Sequence, residues 1–111
     1  MEAQSIGPFD INSVPMPESS MKQRITNFVH LGGGGYPEWY VGLAGDIEKD
    51  LFRAHRVSRV YDEFTYFMAD TPRTAKRVKR YYVEKGMCDG ERCPPGERWV
   101  YVYHISKGTR Q

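Results

Sequence analysis

The pattern of apolar and polar residues predicts four strands and two helices in the order β-β-α-β-α-β. The strands correspond to four apolar or aromatic runs, at Ile25–Leu31, Glu38–Ala44, Val60–Ala69 and Arg98–Ile105. Because glycines and a proline fill the gap between the first two runs, we expect these runs to form a hairpin. The last run is apolar on both faces, which is typical of a covered or central strand.

The first predicted helix begins at Gly45-Asp46, where the Asp46 side chain is a suitable N-cap. Its apolar face follows helical spacing through Ile47, Leu51 and Ala54 and extends to His55.

The second predicted helix begins at Asp70-Thr71-Pro72, with Asp70 or Thr71 as the cap, and ends near Lys85 before Gly86. Its inner stripe consists of Ala75, Val78 and Tyr82. Its outer face is basic and carries Arg73, Lys76, Arg77 and Arg80.

These elements predict one small α+β domain, a sheet flanked by helices, over residues 23–107 of the 111-residue chain. Residues 1–22 contain Pro8, Pro15 and Pro17 and few periodic apolar positions, which predicts a flexible or draped tail. Residues 108–111 are expected to form a short C-terminal tail. The N-terminal tail could also dock on a neighbouring subunit, which would make the chain a homo-oligomer.

Composition excludes several classes of protein. No apolar run approaches the roughly 20 residues that span a bilayer, so we expect no membrane partner. The first residues lack the features of a secretory signal, and two cysteines are too few for a disulfide framework, so we expect a cytoplasmic setting. Cys88 and Cys93 are expected to be free thiols, with a reversible disulfide or a zinc site as alternatives; we predict no metal site.

The run Tyr40-Val41-Gly42, followed by a short turn, a helix and His55, resembles the second half of the GIY-YIG nuclease signature. The resemblance covers roughly residues 25–85 and implies a GIY-YIG-like fold. It also implies phosphodiester cleavage with one divalent ion, such as Mg²⁺ or Mn²⁺, held by a glutamate. In that family an arginine stabilises charge on the phosphate, and tyrosines with a histidine assist proton transfer.

Several positions depart from the pattern that the resemblance implies. Tyr40 and Gly42 match, and His55 corresponds to the family's histidine with a displacement of one residue. Asp50 occupies the arginine position and Lys79 the glutamate position. The first-strand tyrosine, expected near Phe28 or Val29, is absent, and Tyr36 lies in the glycine-rich loop.

The two charge reversals predict that nuclease activity and its metal cofactor have been lost, and that Asp50 and Lys79 pair across the former cleft. An active metal-dependent endonuclease is the alternative, in which Asp50 binds the metal and Lys79 the phosphate, or Arg53 supplies the cation. If activity has been lost, Tyr40 and His55 are either remnants of the catalytic site or residues that serve packing and hydrogen bonding.

The basic helix faces predict a binding partner. Arg53 of the first helix and the outer face of the second helix could follow the phosphate backbone of DNA or RNA. The leading hypothesis is therefore a non-catalytic nucleic-acid-binding module, and the alternatives are the active nuclease and a structural or oligomerising protein.

Overall fold

The computed structural model describes residues 15–47, 51–52, 55–58, 63–89, 98–106 and 109. Within these ranges the fold is α+β, as the sequence predicted. The helices and strands are α1 (Glu18–Gly32), β1 (Trp39–Ala44), β2 (Phe64–Met68), α2 (Pro72–Glu84) and β3 (Trp99–His104). A single helical turn at Tyr36–Glu38 leads from the glycine-rich loop into β1.

The three described strands form one antiparallel sheet in the order β1-β3-β2. The last strand in sequence pairs with both others, so the prediction of a central strand is confirmed. The alternation of β3 explains this position. Val100 and Val102 face one apolar core, whereas Tyr101 and Tyr103 face another.

The two sheet faces are covered by different parts of the chain. Buried residues of α1 and α2, including Ile25 and Val78, pack against the valine face. The tyrosine face is covered by residues from the segment that connects β1 with β2, including Ile47, Leu51 and Val57. Ile47 and Leu51 were predicted as part of a helix face, and both are buried. Ala54 of the same predicted face lies outside the described residues.

The predicted first strand is wrong, because Ile25–Leu31 lies within α1. The buried side chains Met21, Ile25 and Val29 follow one another at four-residue spacing, which places them on one helix face. The predicted hairpin is therefore also wrong, and the partner of β1 is β3. His30, predicted as a sheet residue, is an exposed residue in the last turn of α1.

The prediction of α2 is confirmed. The Thr74 amide donates to the Thr71 hydroxyl at 3.1 Å, so Thr71 is the N-cap, and Pro72 occupies the first turn. The predicted inner stripe of Ala75, Val78 and Tyr82 is buried. After the helix, Gly86 adopts a φ of 117°, a backbone conformation that favours glycine.

The start of the described chain is bound to the domain. Met16 donates its amide to the Met68 carbonyl and accepts from the Asp70 amide, both at 3.0 Å. Residues 18–22, predicted as part of the tail, form the first turn of α1. Residues 1–14 lie outside the described residues, and of the predicted C-terminal tail only Thr109 is described. Neither described helix is long and apolar enough to cross a bilayer.

Candidate functional site

Tyrosines from two neighbouring strands form a stacked cluster on the sheet face that lies away from α1 and α2. The strand register places Tyr40 opposite Tyr103, and Gly42 opposite Tyr101. The Tyr40 and Tyr103 rings stack with their centroids 5.0 Å apart. A Cβ atom at position 42 would collide with the ring and hydroxyl of Tyr101. Gly42 is therefore needed for packing.

His55 reaches this cluster from the segment that covers the tyrosine face. Its Nε2 lies 2.9 Å from the Tyr101 hydroxyl, and its Nδ1 lies 3.0 Å from the Tyr103 hydroxyl. The His55 ring also lies 4.6 Å from the Tyr40 ring, measured between centroids. A neutral imidazole has one N–H, so one tyrosine hydroxyl accepts from His55 and the other donates to it.

Burial makes these tyrosines poor proton donors to solvent. Tyr103 has no exposed surface, and Tyr40 is 5% exposed. Burial raises the pKa of Tyr103 far above the ordinary tyrosine value, and the neighbouring Tyr40 and Cys88 contribute in the same direction. The resemblance implied catalytic roles for Tyr40 and His55, with packing and hydrogen bonding as the alternative. The burial of Tyr40 and the contacts of His55 with two tyrosine hydroxyls favour packing.

The first-strand tyrosine that the resemblance implies near Phe28 or Val29 is absent from the sequence, and both residues belong to α1 and not to a strand. Tyr36 lies in the turn before β1, and its ring contacts Tyr82 of α2 at 6.2 Å between centroids. The described residue that stands opposite Tyr40 on a neighbouring strand is Tyr103 of β3.

Lys79 lies on the inner side of α2 and is 6% exposed. Its ammonium nitrogen is 3.5 Å from a carboxylate oxygen of Asp89. The preceding residue, Cys88, extends the edge of β1: its amide donates to the Trp39 carbonyl at 2.9 Å, and its carbonyl accepts from the Val41 amide at 3.0 Å. Asp50 lies outside the described residues, so its pairing with Lys79 stays a prediction.

The residues at this position do not fit a divalent cation. The resemblance implies a carboxylate ligand at position 79, whereas a protonated lysine carries positive charge and has no lone pair to donate. Within the ranges that the structure describes, no three His, Cys, Asp or Glu side chains form a group that could hold a metal ion. Cys88 donates its thiol to the Pro37 carbonyl at 3.6 Å, and Cys93 lies outside the described residues.

The outer side of α2 carries a stripe of four exposed cations, which we call the basic stripe: Arg73, Lys76, Arg77 and Arg80. At about 100° per residue, these positions fall within an arc of about 100° on the helix surface. The arc lies opposite the buried stripe of α2 that faces the core. The predicted exposure of these side chains is confirmed, whereas Arg53 lies outside the described residues.

The basic stripe and the tyrosine–histidine cluster lie on opposite sides of the sheet. The buried face of α2 packs against the valine side, together with Val100 and Val102, and the cluster lies on the other side. A helix of about 10 Å diameter therefore lies between the stripe and the sheet. A polyanion bound along the stripe would not reach Tyr40 or His55.

Sequence reasoning missed two groups of side chains. Tyr101 and Tyr103 complete the cluster, and their alternation with Val100 and Val102 was the signal for a shared face. Glu18 contacts Lys22 and also Arg77 of the basic stripe, but the segment that carries Glu18 and Lys22 was predicted as tail.

The resemblance to the GIY-YIG family thus stays a prediction that rests on the residues quoted above. Comparison of the chain with protein-family models, with curated proteins and with solved structures finds no match.

Proposed function

We propose that this chain is a non-catalytic module that binds the phosphate backbone of DNA or RNA through the basic stripe of α2. The observation that carries the proposal is the exposure of four cations on one side of a helix whose other side is buried. Phosphate contacts of this kind supply most of the affinity of sequence-independent nucleic-acid binding.

The dimensions of the stripe suit a nucleic-acid backbone. From Arg73 to Arg80 the helix axis advances about 10 Å. Phosphates along one strand of a duplex are spaced about 3.4 Å apart along its axis, so the stripe spans about three of them. Three to four phosphate contacts predict that the logarithm of the binding constant falls with the logarithm of salt concentration with a slope of about −3.

Binding without cleavage is favoured by the positions of the other residues. The basic stripe points away from Tyr40 and His55. Lys79 brings a cation to the position where the resemblance implies a carboxylate, and this cation pairs with Asp89. Neither feature favours attack of water on the phosphorus of a bound phosphodiester and release of the leaving oxygen.

Salt-dependent binding to a fluorescent duplex and to a single strand tests the proposal. Arg73→Ala and Arg80→Ala are each expected to weaken binding and to reduce the salt slope by about 0.9. Arg24→Ala is the matched control. Arg24 is exposed on α1. It lies two residues after Lys22, whose ammonium contacts Tyr81 of α2, and therefore about 200° further around the helix, on the side away from α2. Absence of salt-dependent binding, or an equal loss with Arg24→Ala, would disprove the proposal.

An active phosphodiesterase is the second candidate, and the contact between Tyr40 and His55 favours it. Tyr103 adds a second tyrosine on the neighbouring strand, within hydrogen-bonding distance of His55. A plasmid-nicking assay with and without Mg²⁺ or Mn²⁺ tests this candidate. Cleavage by the wild type that disappears in both Tyr40→Phe and His55→Ala would favour the enzyme over the binding module.

A further inference from the structure

An acidic side chain lies between two cations where α1 meets α2. A carboxylate oxygen of Glu18 is 2.7 Å from the Lys22 ammonium, and the other oxygen accepts from Nε of Arg77 at 3.1 Å. Arg77 belongs to the basic stripe, and its side chain is 60% exposed. One cation of the proposed binding surface therefore has an intramolecular anion in contact with it.

The packing of α1 against α2 holds Lys22 in place. The Tyr82 hydroxyl of α2 donates to the Lys22 carbonyl of α1 at 2.6 Å and lies 2.7 Å from the Thr26 hydroxyl. The Lys22 ammonium also lies 4.0 Å from the centroid of the Tyr81 ring, a distance suited to a cation–π contact. Lys22 is thus positioned by contacts to Tyr82 and Tyr81 in addition to its ion pair with Glu18, and Arg77 contacts the same carboxylate.

We infer that Lys22 and Arg77 form a phosphate-binding position, and that Glu18 occupies it until a phosphate of the nucleic-acid backbone displaces the carboxylate. This inference rests on the proposed function and extends it to a second helix. Carboxylate and phosphate oxygens accept similar charge-assisted hydrogen bonds from arginine and lysine, so one can replace the other. The contacts of Glu18 with Lys22 and with Arg77 support this assignment. The pKa of Glu18 is also lowered, mainly by its hydrogen bond to Lys22.

Glu18 has a consequence for ligand choice. A single phosphate must compete with a carboxylate that is tethered to the same helix as Lys22, and a tethered competitor has a high effective concentration. A polyanion gains further contacts along the basic stripe and overcomes this competition. The preferred ligand is therefore a chain of several phosphodiesters, and a mononucleotide binds weakly.

Glu18→Gln tests the inference, because it removes the charge and retains the shape of the side chain. Binding of a duplex oligonucleotide is expected to tighten about two- to fivefold at low salt, the range that exposed ion pairs permit. The salt slope is expected to stay close to that of the wild type, because Lys22 and Arg77 contact phosphates in the bound state of both proteins.

Glu63→Gln is the control with the same change in net charge. The Glu63 carboxylate lies beside Gly32, at the other end of α1, where a Cβ at position 32 would be 3.2 Å from it. The helix places this end about 20 Å from Glu18, which exceeds the Debye length of about 8–10 Å. Glu63→Gln should therefore leave affinity and slope close to those of the wild type.

Lys22→Gln distinguishes displacement of the Glu18 carboxylate by phosphate from a simple loosening of α1 against α2. Displacement predicts opposite effects: Glu18→Gln tightens binding and Lys22→Gln weakens it. If loss of the α1 contact only disturbs the fold, both variants weaken binding and the inference is wrong. If the wild type binds with the expected salt dependence but Glu18→Gln equals Glu63→Gln, the inference fails and the proposed function stands. If the wild type does not bind at all, both fail.

Discussion

Tyr103 lies directly opposite Tyr40 on the neighbouring strand, and their rings stack with centroids 5.0 Å apart. The two strands are far apart in the sequence, so the contact depends on the sheet having formed. His55 closes the cluster by placing its two ring nitrogens against Tyr101 and Tyr103. The cluster therefore links β1, β3 and the segment that covers them, and its first expected role is to stabilise the domain.

Removal of the Tyr103 hydroxyl should destabilise the domain. Tyr103→Phe leaves Nδ1 of His55 without the hydroxyl that lies 3.0 Å from it. We expect the free energy of unfolding to fall by about 1 kcal/mol, the typical net contribution of one intramolecular hydrogen bond. Urea denaturation measures this change. Tyr36→Phe is the control, because Tyr36 is half-buried outside the cluster, and equal effects of the two variants would contradict a structural role for the hydroxyl.

Gly42→Ala should be more damaging than a methyl group normally is in a strand. The added Cβ would collide with the Tyr101 ring, so either the ring moves away from His55 or the strands separate. Overpacking of this kind costs about 1–3 kcal/mol. Gly35→Ala is the matched control, because its Cβ would meet the nearest atom, Cδ of Pro37, at 3.4 Å, an ordinary contact. Thermal unfolding of both variants checks the difference, and similar melting temperatures would refute it.

Stability should depend on pH in the alkaline range. Burial raises the pKa of Tyr82 from its ordinary value of 10.0 to about 12. Well below pH 10 this tyrosine is protonated in both states and contributes no pH dependence. Between about pH 10 and 12 the unfolded chain loses the proton first, so stability falls by up to about 1.4 kcal/mol per pH unit.

Tyr82→Phe isolates this contribution from the titration of lysines and other tyrosines. The variant should lose stability at all pH values, because the hydroxyl contacts Lys22 and Thr26. Its decline in urea midpoint between pH 10 and 12 should nevertheless be shallower than that of the wild type. An identical slope in both proteins would show that Tyr82 ionises equally in the folded and unfolded states.

Two lysines on α2 should respond differently to truncation. Lys79→Ala removes a buried stem and the ion pair with Asp89, so we expect a loss of about 2 kcal/mol. Lys76→Ala truncates an exposed side chain and should change stability by less than about 0.5 kcal/mol. Chemical denaturation of the two variants provides the comparison, and an equal effect would show that the Lys79 stem is not packed.

Local signals in the sequence were sufficient for α2 and β3. Thr71 and Pro72 have distinct preferences at a helix start, and the exposed cations alternate with a buried stripe at helical spacing. Runs such as Val100-Tyr101-Val102-Tyr103 have two apolar faces, which only a covered strand can bury. In these elements local propensity and tertiary packing favour the same structure.

The same reasoning failed at α1, where local composition and packing conflict. Ile25, Thr26 and Val29 are β-branched and favour strands when considered alone. The four-residue spacing of Met21, Ile25 and Val29 instead indicates one face of a helix. The helix forms because it buries all three side chains against the sheet. The partner of Tyr40 could not be identified either, because sequence patterns do not specify which strands become neighbours in a sheet.

The central position of β3 has a consequence for synthesis of the chain. Every described ladder hydrogen bond between strands involves β3, which follows β1 and β2 in the sequence. While β3 is still inside the exit tunnel of the ribosome, β1 and β2 can already have emerged without the strand that pairs with both of them. The nascent chain can form α1 and α2 locally, but the described sheet cannot assemble until β3 has left the exit tunnel.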